Sequence, residues 1–384
     1  MDDWQNGGFG LYIHWPFCQS KCPYCDFNSH VATAIDQDAW ARAYLSEIDR
    51  VAEETKGRLL NTVFFGGGTP SLMDPDLVAA LLERISTSWT RANDFEVTLE
   101  ANPSSVEAGR FWGFSEAGVN RISMGIQAMN DNDLRRLGRM HSVAEARAAF
   151  NVARNQFSRV SFDLIYARQF QTLQDWRSEL QEALSMAVDH LSLYQLTIEP
   201  GTVFGARHAK GGLAGLPDDE ISADMYLLTQ DICAEYGMPA YEVSNHAGPD
   251  AQSRHNLIYW RYGDYAGIGP GAHGRLTQQG NRFATHTPLS PQAWLDQVTR
   301  EGHGEQTREA IPPVEQALEY LMMSLRLTEG SDIQRYQALA GSPLEESRIT
   351  DLVNHGFLLR QDSKIMATDQ GRPILNAVLR ELVT

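Results

Sequence analysis

The 384-residue chain predicts an α/β fold, a partial (β/α)6 barrel followed by a small helical domain with a winged-helix-like order of elements. Two observations carry this. From residue 9 to about 245, apolar β-rich runs alternate with amphipathic helical stretches, the pattern of βα units on a parallel sheet. Past residue 245 that alternation stops, and prolines at 288, 291, 312 and 313 precede a fresh helical pattern.

Six strands are expected: FGLYIHW (9 to 15), NTVFFGG (61 to 67), FEVTLEA (95 to 101), RISMGIQ (121 to 127), RVSFDLIY (159 to 166) and HLSLYQLT (190 to 197). A helix follows each. DPDLVAALLERISTSW (74 to 89) opens on Asp74-Pro75, and SVEAGRFWGFSEAG (105 to 118) opens on Ser105 and closes on Gly118, as helix caps require. SVAEARAAFNVARNQ, TLQDWRSELQEALSMAV and DDEISADMYLLTQDICAEYG repeat the 3.6-residue apolar spacing. Six units fall short of the eight that close a full barrel. In residues 255 to 274, Gly263, Gly267, Gly269, Gly271 and Gly274 argue against a stable helix, so loops and short strands wrapping the barrel are expected. The domain division is placed at 1–290 and 291–384. In the second part VEQALEYLMMSLRLTEG starts a helical unit, FLLR and KIMAT flank a polar turn, and DQGRPILNAVLREL closes as a helix.

Composition narrows the partners. The formal net charge is -17 and there are only four lysines, Lys21, Lys56, Lys210 and Lys364, so a nucleic-acid surface is not expected. Residues 341 to 384 hold five basic against six acidic side chains, which makes the winged-helix-like part a packing or protein-contact module. No run approaches the ~20 apolar residues of a membrane span. The MDDWQNGGFG start lacks a basic then apolar leader pattern, and a cytoplasmic protein with no integral membrane segment is expected.

Chemistry concentrates in HWPFCQSKCPYCDF, where Cys18, Cys22 and Cys25 lie in a loop just after the first strand. Three thiolates at this spacing suit a 4Fe-4S cube with one iron left open. Zinc is the rival, but closed zinc sites want four ligands, and the remaining Cys233 lies within a helical pattern. The spacing and its strand context resemble the radical S-adenosylmethionine superfamily, whose open iron receives the amino and carboxylate groups of that cosubstrate. FFGGGTPS (64 to 71) by itself is a tight strand-to-helix turn; beside the cysteines it resembles the superfamily's GGE-like segment. Polar residues recur at the carboxyl ends of successive strands, Glu100 with Asn102, Gln127, Asp163, and Gln195 with Thr197, the rim where βα barrels bind ligands. Glu100 would suit a ribose diol, Gln127 an adenosine or methionine group, and Arg139 a carboxylate.

At closer range YIHWPFC, CPYCDFNSH, GGGTPS, LEANP, GVNRISMGIQ, RLGRMH, DLIY, LSLYQLTIEPGT, HNLIYW and GIGPGAHG resemble the HemW family of haem chaperones, relatives of the oxygen-independent coproporphyrinogen III dehydrogenases. The resemblance is dense over residues 10 to about 275 and looser through LMMSLRL to the C-terminal helix. It implies a 4Fe-4S cluster, S-adenosylmethionine and haem as cargo, with cosubstrate contacts on Tyr12, Tyr24, Gly67, Gly68, Thr69, Glu100, Gln127, Arg139 and Asp163. HNLIYW corresponds to the family's haem motif, with His255 as axial ligand and Tyr259 and Trp260 as flat surface; a hydrogen-bonded core histidine is the other reading, and His246 and His273 are lesser candidates. Partners implied are haem and acceptor haemoproteins, those of the respiratory chain among them, and a homodimer is left open. The alternative is the dehydrogenase, in which the cleaved cosubstrate abstracts hydrogen from a propionate side chain. That group carries a further cysteine where this chain has Phe27 and a longer segment before the motif, so dehydrogenase activity is not expected. Residues 167 to 169, Ala-Arg-Gln, stand where relatives often have Gly-Leu-Pro.

Overall fold

The computed structural model describes residues 2–32, 34–187 and 189–383. Val188, at the expected end of one helix, and Thr384, at the end of the second domain, lie outside the described residues. Strands β1 (Phe9–Trp15), β2 (Leu59–Gly67), β3 (Thr90–Ala101), β4 (Arg121–Gln127), β5 (Arg159–Tyr166) and β6 (His190–Gln195) form one parallel sheet in sequence order. Period-2 alternation divides their side chains. Leu11, Ile13, Val63, Leu99, Ile122 and Phe162 are buried on the face that helices cover. The opposite face carries Tyr12, His14, Thr98, Glu100, Arg121, Ser123, Ser161 and Asp163, so the barrel interior is polar.

One expectation changes at residues 255 to 274, and the short strands expected there are present. The HNLIYW segment is a helix, Arg254–Trp260, because the first glycine of the run, Gly263, lies beyond its end and Ser253 caps it by accepting from the Asn256 amide. The glycine-rich stretch that follows is β8 (Asp264–Ile268), after the short antiparallel β7 (Asn245–Ala247) on β6. β8 pairs in parallel with β1, from Phe9↔Asp264 to Ile13↔Ile268, adding a seventh parallel strand on the far side of β1. β9 (His273–Gln278), β10 (Asn281–His286) and β11 (Thr307–Ala310) extend that edge antiparallel. The expected 105-to-118 helix is also broken, into Ser105–Ala108 and Phe111–Ala117.

The division at 290 moves as well. In the helix Pro291–Glu301, Trp294 stacks on Trp40 at 5.5 Å and meets Tyr44 at 5.1 Å, within the main core. β11 then ends at Ala310, and a separate apolar cluster begins with Ala317 and Tyr320. That second unit runs through helix Pro313–Ser324, β12 (Ser331–Asp332), helices Ile333–Ala340 and Glu346–Asn354, the hairpin of β13 (Leu358–Gln361) and β14 (Lys364–Ala367), and helix Leu375–Val383. This is the winged-helix-like order. Among the described residues no helix is long and apolar enough to cross a membrane.

The Ala-Arg-Gln loop after β5 is held by its own residues. Ala167 takes φ 56°, a left-handed backbone that glycine adopts without strain. Arg168 turns inward, 3% exposed, and pairs with Asp133 at 2.9 Å and with Glu179, whose Oε1 accepts from the Met129 amide at 2.6 Å. Removing one member of a buried ion group strands the others. Arg168→Ala is therefore expected to lower the unfolding free energy by about 3 to 5 kcal/mol in urea titration; a loss under about 1 kcal/mol would mean that the group does not hold this loop.

Candidate functional site

At the carboxyl end of β1 the chain turns at Pro16 and runs through the thiol loop. Phe17 and Cys18 pair in parallel with His30 and Val31, which closes the loop on itself, and the Cys25 amide donates to the Cys22 carbonyl at 3.1 Å. Asn28 ties it down: its Nδ2 donates to the Pro270 and Leu289 carbonyls at 3.0 and 2.9 Å. Its own carbonyl accepts from His14 Nε2 at 2.9 Å, leaving His14 Nδ1 to accept from the Tyr12 hydroxyl at 3.1 Å.

Cys18, Cys22 and Cys25 line one cavity of about 850 Å³. Thr69 Oγ1 donates to Cys18 Sγ and Arg139 Nη1 to Cys22 Sγ, both at 3.4 Å. Burial raises the Cys18 and Cys25 thiol pKa values, and neighbouring thiols of the loop raise each further, which places the three groups within electrostatic reach. Cys233 stays in the helical core, where burial pushes its thiol up to about 12. Among the described residues no three of His, Cys, Asp and Glu converge as a single metal ion would require.

The glycines of FFGGGTPS form the adjacent wall, and close approach demands them. A Cβ on Gly67, at φ 109°, would stand 2.7 Å from the His14 ring, and one on Gly68 would stand 2.7 Å from the Phe17 carbonyl oxygen. The nearby Gly67 amide draws the Glu100 carboxyl pKa down against its burial. Arg139 Nη2 donates to Asn102 Oδ1 at 2.6 Å and to the Gly125 carbonyl at 2.8 Å, while its buried Nε has no partner. Burial and then Asp163 push the Glu100 carboxyl up to about 8. Burial pushes Asp163 up to about 6 against hydrogen bonds from Ser192 and Ser123 and the charges of Arg121 and Arg139.

The cavity thus gathers Tyr24, Gly67, Gly68, Thr69, Glu100, Gln127, Arg139 and Asp163 with the cysteines. Tyr12 is not on its wall: the ring stacks on Phe64 at 6.3 Å and supports His14. His255 is not there either. It is 1% exposed near the amino ends of the strands, with Nδ1 2.6 Å from Thr62 Oγ1 and Nε2 2.7 Å from the Tyr259 hydroxyl. Burial and then Arg121 hold its pKa down at about 3. Asn28 and His14 are positioning residues that the motifs contained without revealing their part; Arg326, Tyr226 and Arg372 line the cavity with no motif to mark them.

The sequence matches the Radical SAM superfamily over residues 12–183 and the HemN C-terminal domain over residues 311–374. It is 36% identical to the heme chaperone HemW of Haemophilus influenzae, over 97% of each chain, and 35% identical to that of Escherichia coli, over 96% of each. The chain belongs to the HemW family of radical S-adenosylmethionine proteins. A mitochondrial radical S-adenosyl methionine domain-containing protein 1 of Bos taurus is 38% identical over 97% of this chain and 87% of that one. In fold, the HemW-family chain is similar to the coproporphyrinogen III oxidase HemN of Escherichia coli, with a TM-score of 0.81, 21% identity, and coverage of 99% of this chain and 92% of that chain.

The residues present fit the family's cofactors. Three thiols share a cavity wall with Gly67, Gly68 and the Arg139 guanidinium, whose buried Nε has no protein partner. After anaerobic reconstitution, Cys18→Ala, Cys22→Ala and Cys25→Ala are each expected to lose the cluster and Cys233→Ala to retain it. Iron and sulfide analysis decides, and cluster loss in Cys233→Ala would overturn the three-ligand assignment. A second expectation concerns pH. Glu100 has a pKa of about 8 in the folded chain against 4.5 as the ordinary value, so between these the folded state holds a proton that the unfolded state releases. Stability therefore falls as pH rises through that window. Apoprotein Glu100→Gln, which has no such proton, should gain melting temperature relative to the parent as pH rises; a constant difference would show that Glu100 is not buried as a carboxylic acid.

Proposed function

We propose that this chain is a haem chaperone: it holds a 4Fe-4S cluster through Cys18, Cys22 and Cys25, binds S-adenosylmethionine beside it, and carries haem to acceptor haemoproteins, those of the respiratory chain among them. Support comes from relatives named as heme chaperones at 35–36% identity over nearly the whole chain. The single observation that carries the choice against the dehydrogenase is Phe27. It lines the cavity, 60% exposed, where that enzyme group has a further cysteine.

On this reading the cavity-lining Gly67, Gly68 and Thr69 provide the backbone approach for the cosubstrate's amino end, and the Arg139 guanidinium on the same wall meets the carboxylate. Glu100 and Asp163, both within the field of Arg121, offer hydrogen bonds to hydroxyls, and Gln127 meets an adenosine or methionine group. The cluster, when bound, supplies the electron for cosubstrate cleavage. Haem ligation by His255 would require Nε2 to leave the Tyr259 hydroxyl, so the ring is a candidate ligand only after that exchange.

One cluster-loaded preparation tests the reading. Haem titration at the Soret band should saturate, and an anaerobic assay with coproporphyrinogen III, reductant and S-adenosylmethionine should give no protoporphyrinogen. In equilibrium dialysis Arg139→Ala should bind S-adenosylmethionine about tenfold more weakly or worse with its cluster intact. Robust protoporphyrinogen formation would replace the chaperone reading with the dehydrogenase one. A Soret band altered in His255→Ala supports ligation; an unaltered one assigns the ring to the core.

A further inference from the structure

Beyond the thiols and the strand-end residues, the cavity has a wall whose chemistry is unassigned. The C-terminal unit contributes to it Arg372, at the start of the short 3-10 turn Arg372–Ile374, while Arg326 comes from the segment after helix Pro313–Ser324. The helix Asp219–Glu235 contributes Tyr226. Among the described residues the Arg372 side chain has no hydrogen bond or ion pair. The Tyr226 hydroxyl is buried without a partner, and so is Arg326 Nε. Burial raises the Tyr226 pKa while the charges of Arg372 and Arg326 pull it back, so both guanidinium groups lie close to that hydroxyl. Three donor side chains therefore line one cavity, and no protein group satisfies the Tyr226 hydroxyl or Arg326 Nε.

Acids stand near them too: Asp369 and Glu242 both act on the Tyr226 hydroxyl, but Glu242 is largely engaged elsewhere. Glu242 is fully buried, and its Oε1 accepts from the Ser244 amide and hydroxyl and from Asn245 Nδ2, at 2.8, 2.9 and 2.6 Å. Only its other oxygen meets Arg326 Nη2, at 3.3 Å. Arg326 is also held from behind: its guanidinium carbon lies 4.6 Å from the centroid of the Trp260 ring. Trp260 is the last residue of HNLIYW and of its helix. The segment thus reaches the cavity through an aromatic–cation contact, although His255 does not.

We propose that Arg326, Tyr226 and Arg372 form a carboxylate site that takes the two propionates of a bound tetrapyrrole, with Trp260 as the positioning residue that presents Arg326. This rests on the haem-handling reading above and adds to it where the cargo is gripped. Two cations answer two carboxylates. Glu199 and Asp219 also line the cavity, so a ligand with four carboxylates meets repulsion that haem avoids. The C-terminal unit thereby becomes part of the cargo site, and its attachment to the barrel a condition of binding.

The experiment uses full-length, cluster-loaded protein and two probes, haem and its dimethyl ester, titrated at the Soret band. The parent should bind the ester about tenfold more weakly than haem or worse, since esterification removes the anions. Arg372→Ala should lose a similar factor for haem and little for the ester, while Arg372→Lys recovers part of it. Trp260→Leu should weaken haem binding while the cluster is retained. Cluster content and S-adenosylmethionine dialysis serve as controls for folding. Equal affinity for haem and ester in the parent, or unchanged haem affinity in Arg372→Ala, overturns the carboxylate site and leaves the chaperone reading standing. A parent that binds neither probe removes both.

Discussion

Arg121 carries its charge inside the barrel, 2% exposed, with Nη2 donating to Ser161 Oγ at 2.8 Å and Nη1 reaching Thr98 Oγ1 at 3.4 Å. A guanidinium in that position sets terms for its neighbours in both directions along the sheet. Toward the carboxyl ends, its field draws down the pKa values of Glu100 and Asp163, though burial outweighs it at both. Toward the amino ends it adds to burial in keeping His190 and His255 neutral. The polar interior is tolerated because its hydroxyls and rings pair across neighbouring strands, as Ser123 does with Ser161 at 3.1 Å. A barrel filled in this way keeps Glu100 and Asp163 at the ligand end and the uncharged His190 and His255 toward the other.

The thiol loop depends on a second constraint, contact with a part of the sheet built much later in the chain. Asn28 bridges Pro270 and Leu289, and Gly271 leaves the space its side chain occupies: a Cβ there would meet the Asn28 amide. Gly269, at φ 114°, lets the chain pass against the His14 backbone. GIGPGAHG is therefore the seat on which the cysteine loop rests. Rigid support of this kind holds ligands near the geometry they need before any cofactor arrives.

Much of this was legible in the residues. β1, β4 and β5 coincide with the expected runs, because alternating apolar and polar residues match a sheet covered by helices on one face. Polar residues at successive strand ends announced the cavity, since a sheet that buried those ends would exclude Glu100 and Asp163. What could not be read depends on partners distant in sequence. The glycine-rich stretch reads as loops and short strands, but its parallel pairing with β1 is not legible there, nor is the need for Gly267, where a Cβ would strike the His273 backbone. His255 could be placed among aromatics but not against Thr62, a contact spanning 193 positions. Arg326 and Arg372 carry no local pattern at all; only the fold of the C-terminal unit brings them to the cavity wall.

The pairing of β1 with β8 also has a meaning for how the chain is made. The first strand of the sheet finishes with Trp15, but its partner on one side begins at Asp264. A ribosome that has released only the first half of the chain has already presented Cys18, Cys22 and Cys25 to solvent, while the seat for Asn28 is still unwritten. Contacts of such separation form late, since a long loop must close before they are rewarded. The thiols are thus born early and housed late, an interval in which they are exposed to oxidants and to stray metal.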